Sequence, residues 1–84
     1  MWEWNEWRNN NLSVALDLSN AVLDHTNLED CNLAGANLSG AKLRAVFLRG
    51  ANFSSATISG CEFHRTKLAQ TNLENSIIDA CEFF

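Results

Sequence analysis

Residues 36–55 read ANLSGAKLRAVFLRGANFSS, and the reading of this stretch decides the fold. Leu38, Leu43, Leu48 and Phe53 stand five apart, and two positions before each comes a small residue: Ala36, Ala41, Val46 and Ala51. The register extends outward without a break. Leu18, Leu23, Leu28 and Leu33 precede the stretch, and Ile58, Phe63, Leu68, Leu73, Ile78 and Phe83 follow it. At ~3.6 residues per turn, a step of five would scatter these side chains around a helix instead of lining one side. In one continuous strand, an odd step would send successive centres to opposite faces. Each unit must therefore contain its own corner, so that every central residue returns to the same interior.

The other positions agree. The small residue and the large one are two apart in extended chain and share the inside, whereas the residue between them points out and is mostly polar: Asp17, Asn27, Asn32, Asn37, Lys42, Asn52, Glu62, Lys67, Asn72 and Glu82. The last two positions of each unit are rich in Ser, Gly, Asn and Asp, which tolerate or bond to turn backbone. All four glycines, Gly35, Gly40, Gly50 and Gly60, fall there.

Units such as Ala36-Asn37-Leu38-Ser39-Gly40, Ala51-Asn52-Phe53-Ser54-Ser55 and Thr71-Asn72-Leu73-Glu74-Asn75 resemble the pentapeptide-repeat family over residues 16–84. The resemblance implies an all-β fold, a right-handed quadrilateral β-helix with four units per coil. The sequence also echoes itself at twenty: Cys61-Glu62-Phe63 recurs as Cys81-Glu82-Phe83, and Asn32, Asn52 and Asn72 form one series. About 3.4 coils at ~4.8 Å would make a rod on the order of 16 Å long. Four interior columns are predicted: Leu18-Leu38-Ile58-Ile78, Leu23-Leu43-Phe63-Phe83, Leu28-Leu48-Leu68 and Leu33-Phe53-Leu73.

Residues 1–15 break the pattern and hold every tryptophan, Trp2, Trp4 and Trp7. They read as an atypical cap over the first coil, because solenoid ends need cover against edge growth. Two alternatives stand beside the cap. Trp2, Trp7 and Leu12 are also five apart and fit a degenerate extra coil, and the tryptophans fit anchors for a partner.

An 84-residue chain with a net charge of −4 and six scattered basic residues offers no basic stripe for a phosphate backbone, so direct nucleic-acid binding is not expected. The three cysteines, Cys31, Cys61 and Cys81, include no CxxC pair, and no apolar run approaches the ~20 residues of a membrane span. A reduced, cytoplasmic setting is expected. Cys61 and Cys81 are read as inward small hydrophobes. Glu29-Asp30 reads as solvated turn residues. His25 and His64 lie two coils apart, roughly 10 Å, too far to share a metal. No catalytic residue, cofactor or metal is assigned.

What the sequence does single out is apolar side chains where water is expected. These are Val22, Phe47 on the third face, and Ile77 and Phe84 near the last coil. Phe47, Ile77 and Phe84, with Phe83 at the end of its interior column and Trp2, Trp4 and Trp7, are the candidate protein-interaction residues. The expected role is a structural or protein-interaction module that docks through its C-terminal coil, as a homodimer or a subunit of a larger complex. The resemblance also implies an alternative, because some family members mimic B-form DNA, bind type II topoisomerases and protect them from quinolones. That role needs a long acidic rod, whereas this rod is short and its second face carries Lys42, Arg44 and Arg65.

Overall fold

Three extended residues followed by a two-residue corner is the conformation that the five-residue unit dictates, and the coordinates follow it unit by unit. The computed structural model describes residues 2–83, with Trp2 through its backbone alone. Thr57–Ser59 (β1) pairs in parallel with Ile77–Asp79 (β3), and Glu62–Phe63 (β2) pairs in parallel with Glu82–Phe83 (β4). Elsewhere the extended pieces are so short that they meet in single parallel bridges, every one joining a residue to the residue twenty further on.

Four ladders result, one per face. The first runs Asp17, Asn37, Thr57, Ile77; the second Val22, Lys42, Glu62, Glu82; the third Asn27, Phe47, Lys67; the fourth Asn32, Asn52, Asn72. Each ladder is made by main-chain bonds between coils, such as Leu38 N–H to Thr57 O at 2.8 Å and Thr57 N–H to Ala36 O at 2.9 Å. A β-helix with four faces and a twenty-residue repeat is the outcome.

The corners share one backbone feature, and many of them one closing bond. The N–H three residues beyond a central residue donates to that residue's carbonyl, as in Ala21 to Leu18 (3.1 Å), Ala41 to Leu38 (3.0 Å) and Ala56 to Phe53 (3.1 Å). The second corner residue has positive φ in every unit from Asn20 to Ala80. A four-residue turn with positive φ at its third position alone is the type II pattern. Gly40 and Gly50 meet a further demand at this position: a Cβ on them would come within 2.3 Å of Asn20 Oδ1 and 2.1 Å of Asp30 Oδ1 from the coil before. Nine non-glycine residues, Ala45 and Arg65 among them, hold the same left-handed backbone. Such residues carry strain of order 1–3 kcal/mol each, and the coil-to-coil bonds on either side hold them there.

Outward asparagines brace the corners. The side-chain carbonyls of Asn32, Asn52 and Asn72 accept the N–H of Ala34, Ser54 and Glu74 at 3.2, 2.9 and 2.9 Å. The asparagine series is thus a set of Asx turns, each within its own unit, and the bonding atom is Oδ1.

The predicted columns fill the interior. Leu38, Leu43, Leu48 and Ile58 are fully buried, with Ala36, Ala41, Ala51, Ala56 and Cys61 packed beside them. Burying a side chain of leucine size stabilises by about 1.5–3 kcal/mol. Phe63 and Phe83 stack face to face, with ring centroids 5.1 Å apart and planes 3° from parallel.

The N-terminal segment corrects two expectations. The fold is not wholly β, and no degenerate coil passes through Trp2, Trp7 and Leu12: Trp2–Asn9 form a helix, α1. Glu3 in its first turn and Arg8 in its last complement the helix dipole. The asparagine run closes it. Asn10 Nδ2 donates to Glu6 O at 3.1 Å and Asn11 Nδ2 to Trp7 O at 2.7 Å, each a second bond to a carbonyl that also accepts the Asn10 N–H. Trp4 and Arg8, four apart, share the side of α1 that meets the coils.

Candidate functional site

The mouth of the first coil is where α1 is attached. Trp4 Nε1 donates to Asn32 O at 2.8 Å, and Asn5 is bound twice, giving a hydrogen bond to Asp30 O (2.6 Å) and taking one from Asn32 N–H (2.8 Å). Arg8 is only 6% exposed and reaches three carbonyls: Asn11 O at 3.0 Å, Val14 O at 2.9 Å and Ala34 O at 3.0 Å. Sequence reading overlooked Arg8, because one cation in a polar segment looks like a surface residue; its acceptors converge only after the coil closes. Between Trp4 and the first-coil residues Leu18, Leu23, Leu28, Cys31 and Leu33 lies a wholly apolar recess of about 170 Å³.

The seven residues singled out from sequence do not form one patch. Trp4 is turned inward and half-buried; Trp7 is 43% exposed and lies against Trp4, ring centroids 5.4 Å apart. Trp2 enters through its backbone alone, and Phe84 lies outside the described residues. Phe47 is exposed on the third face between Asn27 and Lys67. Apolar exposure occurs on the N-terminal side, at Leu12, Val14 and Val22, and in the last coil. There Ile77 is 59%, Ile78 44% and Phe83 50% exposed. Ile78 and Phe83 belong to interior columns, and in the coil beneath, their partners Ile58 and Phe63 are buried. Leu38 N–H is bonded to Thr57 O one coil on, and among the described residues no coil follows to play that part for Ile78.

The second face and its corner hold the charged groups. Asp24 takes Arg44 Nε and Nη2 at 2.8 and 2.5 Å and the Arg44 N–H at 2.9 Å, and these bonds hold its carboxyl below the usual carboxylate range. One coil on, Glu62, His64 and Glu82 bring their ligand atoms within 4.8 Å of one another, with His64 Nε2 at 3.1 Å from Glu82 Oε2. Comparing His64 with His25 misses this group; adding twenty to Glu62 finds it.

The thiols face inward. Burial pushes Cys31 and Cys61 up to about 11, so both stay protonated at neutral pH and are poor nucleophiles. Cys61 Sγ donates to Leu38 O at 2.8 Å and Cys81 Sγ to Ile58 O at 2.9 Å. Among the described residues no helix is long and apolar enough to cross a membrane.

The family model described as pentapeptide repeats matches this chain in eight copies, over residues 16–50, 36–75 and 48–83. Among solved structures, the pentapeptide repeat protein Rfr23 from the cyanobacterium Cyanothece 51142 is similar, with 32% identity over 84% of this chain and a TM-score of 0.63. The chain spans 52% of the length of Rfr23. Two weaker similarities are to QnrB1, a plasmid-mediated fluoroquinolone resistance protein, and to HetL, involved in heterocyst differentiation regulation in Nostoc sp. strain PCC 7120. QnrB1 shows 15% identity over 81% of this chain and 34% of its own, with a TM-score of 0.35. HetL shows 20% identity over 79% and 46%, with a TM-score of 0.31. Neither bears on what this chain does. No curated protein matches the chain at a significant level.

Proposed function

Because the chain belongs to the pentapeptide-repeat family, whose members fold as right-handed β-helices, we propose that it is a non-catalytic interaction module that associates with a second copy of itself through the last coil. In this reading α1 is the cap of the first coil. The observation that carries the proposal is the exposure of Ile77, Ile78 and Phe83 on one coil, beside strand backbone. A strand edge recruits further strands, and exposed apolar columns add the area that makes pairing favourable. Two copies meeting by these coils would continue the stack that Phe63 and Phe83 begin. Phe47 and Trp7 offer smaller contacts at other places on the surface. The three thiols fit a reducing, cytoplasmic setting.

A topoisomerase-mimic reading is less well supported, since Lys42 and the Asp24–Arg44 pair interrupt the acidic character of the second face.

Sedimentation equilibrium of the 84-residue chain tests the proposal. A dimer is expected for the parent chain, and a monomer with unchanged circular dichroism for the double substitution Ile78→Ser, Phe83→Ser. A parent chain that stays monomeric at hundreds of micromolar would refute self-association, and recovery of one stoichiometric heteromeric partner would replace it.

A further inference from the structure

The geometry points to a divalent-cation site of zinc type formed by Glu62, His64 and Glu82, which clips the last coil to the coil beneath it. This inference does not rest on self-association.

The placement follows from the repeat. Glu62 and Glu82 are in-register partners of the parallel β2–β4 pair, so their side chains leave the same face about 4.8 Å apart. His64 is the first corner residue after β2, and the corner brings its Nε2 to 3.1 Å from Glu82 Oε2. The asymmetry of the twin tripeptides matters here: Cys61-Glu62-Phe63 is followed by histidine, whereas Cys81-Glu82-Phe83 is followed by phenylalanine. One imidazole therefore serves two stacked carboxylates.

The distances are those of a coordination shell. Ligand atoms at ~2.0–2.1 Å from a tetrahedral zinc lie about 3.3 Å from one another. His64 Nε2 and Glu82 Oε2 are already 3.1 Å apart, and all three ligand atoms fall within 4.8 Å of one another. Glu62 closes the remaining gap by rotating its own flexible side chain. One nitrogen and two carboxylate oxygens are donors that zinc accepts, and water fills the fourth position.

Charge favours the same occupant. Like charges directly opposite on neighbouring strands repel, and Glu62 and Glu82 are so placed. The nearby cations do not cancel both. Lys42 is the in-register neighbour of Glu62 alone, and Arg44, which also attracts Glu62, is bound first by Asp24 through two side-chain bonds. His25, Arg44 and Arg65 line a recess together with His64, and their charge limits the affinity and keeps the site exchangeable. A bound cation would tie Glu82 of the last coil to Glu62 and His64 of the one before.

The test is isothermal titration of the reduced 84-residue chain with zinc chloride, paired with two-dimensional NMR of the imidazole nitrogens. One zinc per chain is expected, with a shift of His64 Nε2 and none at His25. His64→Ala and Glu82→Gln should each weaken binding tenfold or more, while His25→Ala changes it less than twofold. Circular dichroism without zinc checks that each variant is folded; should one unfold, the imidazole spectrum of the parent chain decides alone. The site is overturned if His64 does not shift at millimolar zinc. It is equally overturned if cobalt substitution gives a thiolate charge-transfer band, which would place the ion on a cysteine.

Discussion

The two ends of the coil stack carry the same kind of residue at the same repeat position and treat it differently. At the first coil, Leu18 and Leu23 are half-buried below α1; at the last, Ile78 and Phe83 of the same two columns are 44% and 50% exposed. Between them, Leu38, Leu43 and Ile58 are fully buried. Side-chain chemistry does not explain the gradient, because isoleucine is sealed at 58 and open at 78. The cause is the number of neighbouring coils, since a repeat in a solenoid gains its stability from the units on either side. At the first coil, α1 is attached by a tryptophan ring, two asparagine-to-backbone bonds and a buried guanidinium, and in the proposed reading it stands in for one neighbour.

The sharpest way to break this comparison is to put a charge in the middle. Leu48→Asp buries a carboxylate that no partner can reach, and the expected outcome is loss of the folded state by circular dichroism. Within one column the milder substitution is quantitative: Leu38→Ala should destabilise by about 2–5 kcal/mol, as large-to-small changes in closed cores do, and Ile78→Ala by less than half as much. Both are read in urea unfolding at a dilution where the chain is monomeric; equal losses there would overturn the comparison, whereas a loss at Ile78 that grows with protein concentration is what coverage by a second copy predicts. A smaller effect is expected at the covered end. Removing the hydrogen bonds of a charged group typically costs about 1.5–3 kcal/mol, so Arg8→Ala should lower stability by about 2 kcal/mol and release α1, read as a red shift of tryptophan fluorescence. Retention of the parent spectrum would show that Trp4 and Asn5 hold the helix without Arg8. The smallest effect is at a corner. Asn52→Ala deletes one Asx-turn bond and should cost about 1 kcal/mol, whereas the same change at Asn72, in the thinner last turn of the stack, should cost less.

How much of this was legible in the sequence depends on the range of the interaction that decides each feature. The centres, the small residues and the corners are set within five residues, so they can be read from Leu38-Ser39-Gly40-Ala41 alone. The ladders need one further rule, the step of twenty, which the recurrence of Cys-Glu-Phe supplies. That rule also contained the meeting of Glu62, His64 and Glu82. Arg8 was not legible, because its acceptors at Asn11, Val14 and Ala34 are brought together only when the segment closes on the first coil. The helical conformation of residues 2–9 was hidden by a five-residue spacing of Trp2, Trp7 and Leu12 that imitates the repeat. The exposure of Ile78 and Phe83 is likewise invisible in a sequence that uses the same residue types for sealed positions.

The direction of the ladder bonds sets how this molecule would answer a mechanical load. Bonds such as Leu38 N–H to Thr57 O and Thr57 N–H to Ala36 O run along the stack. A pull on the two chain termini would load them end-on and open them a few at a time, like a zipper, instead of shearing a whole row together. Each coil lost would release twenty residues, lengthening the chain by about 60–65 Å against the ~4.8 Å it occupied in the stack. Unspooling would begin at Ile78 and Phe83, whose coil has one neighbour among the described residues, and a force trace would record it as a descending series of small, regular steps.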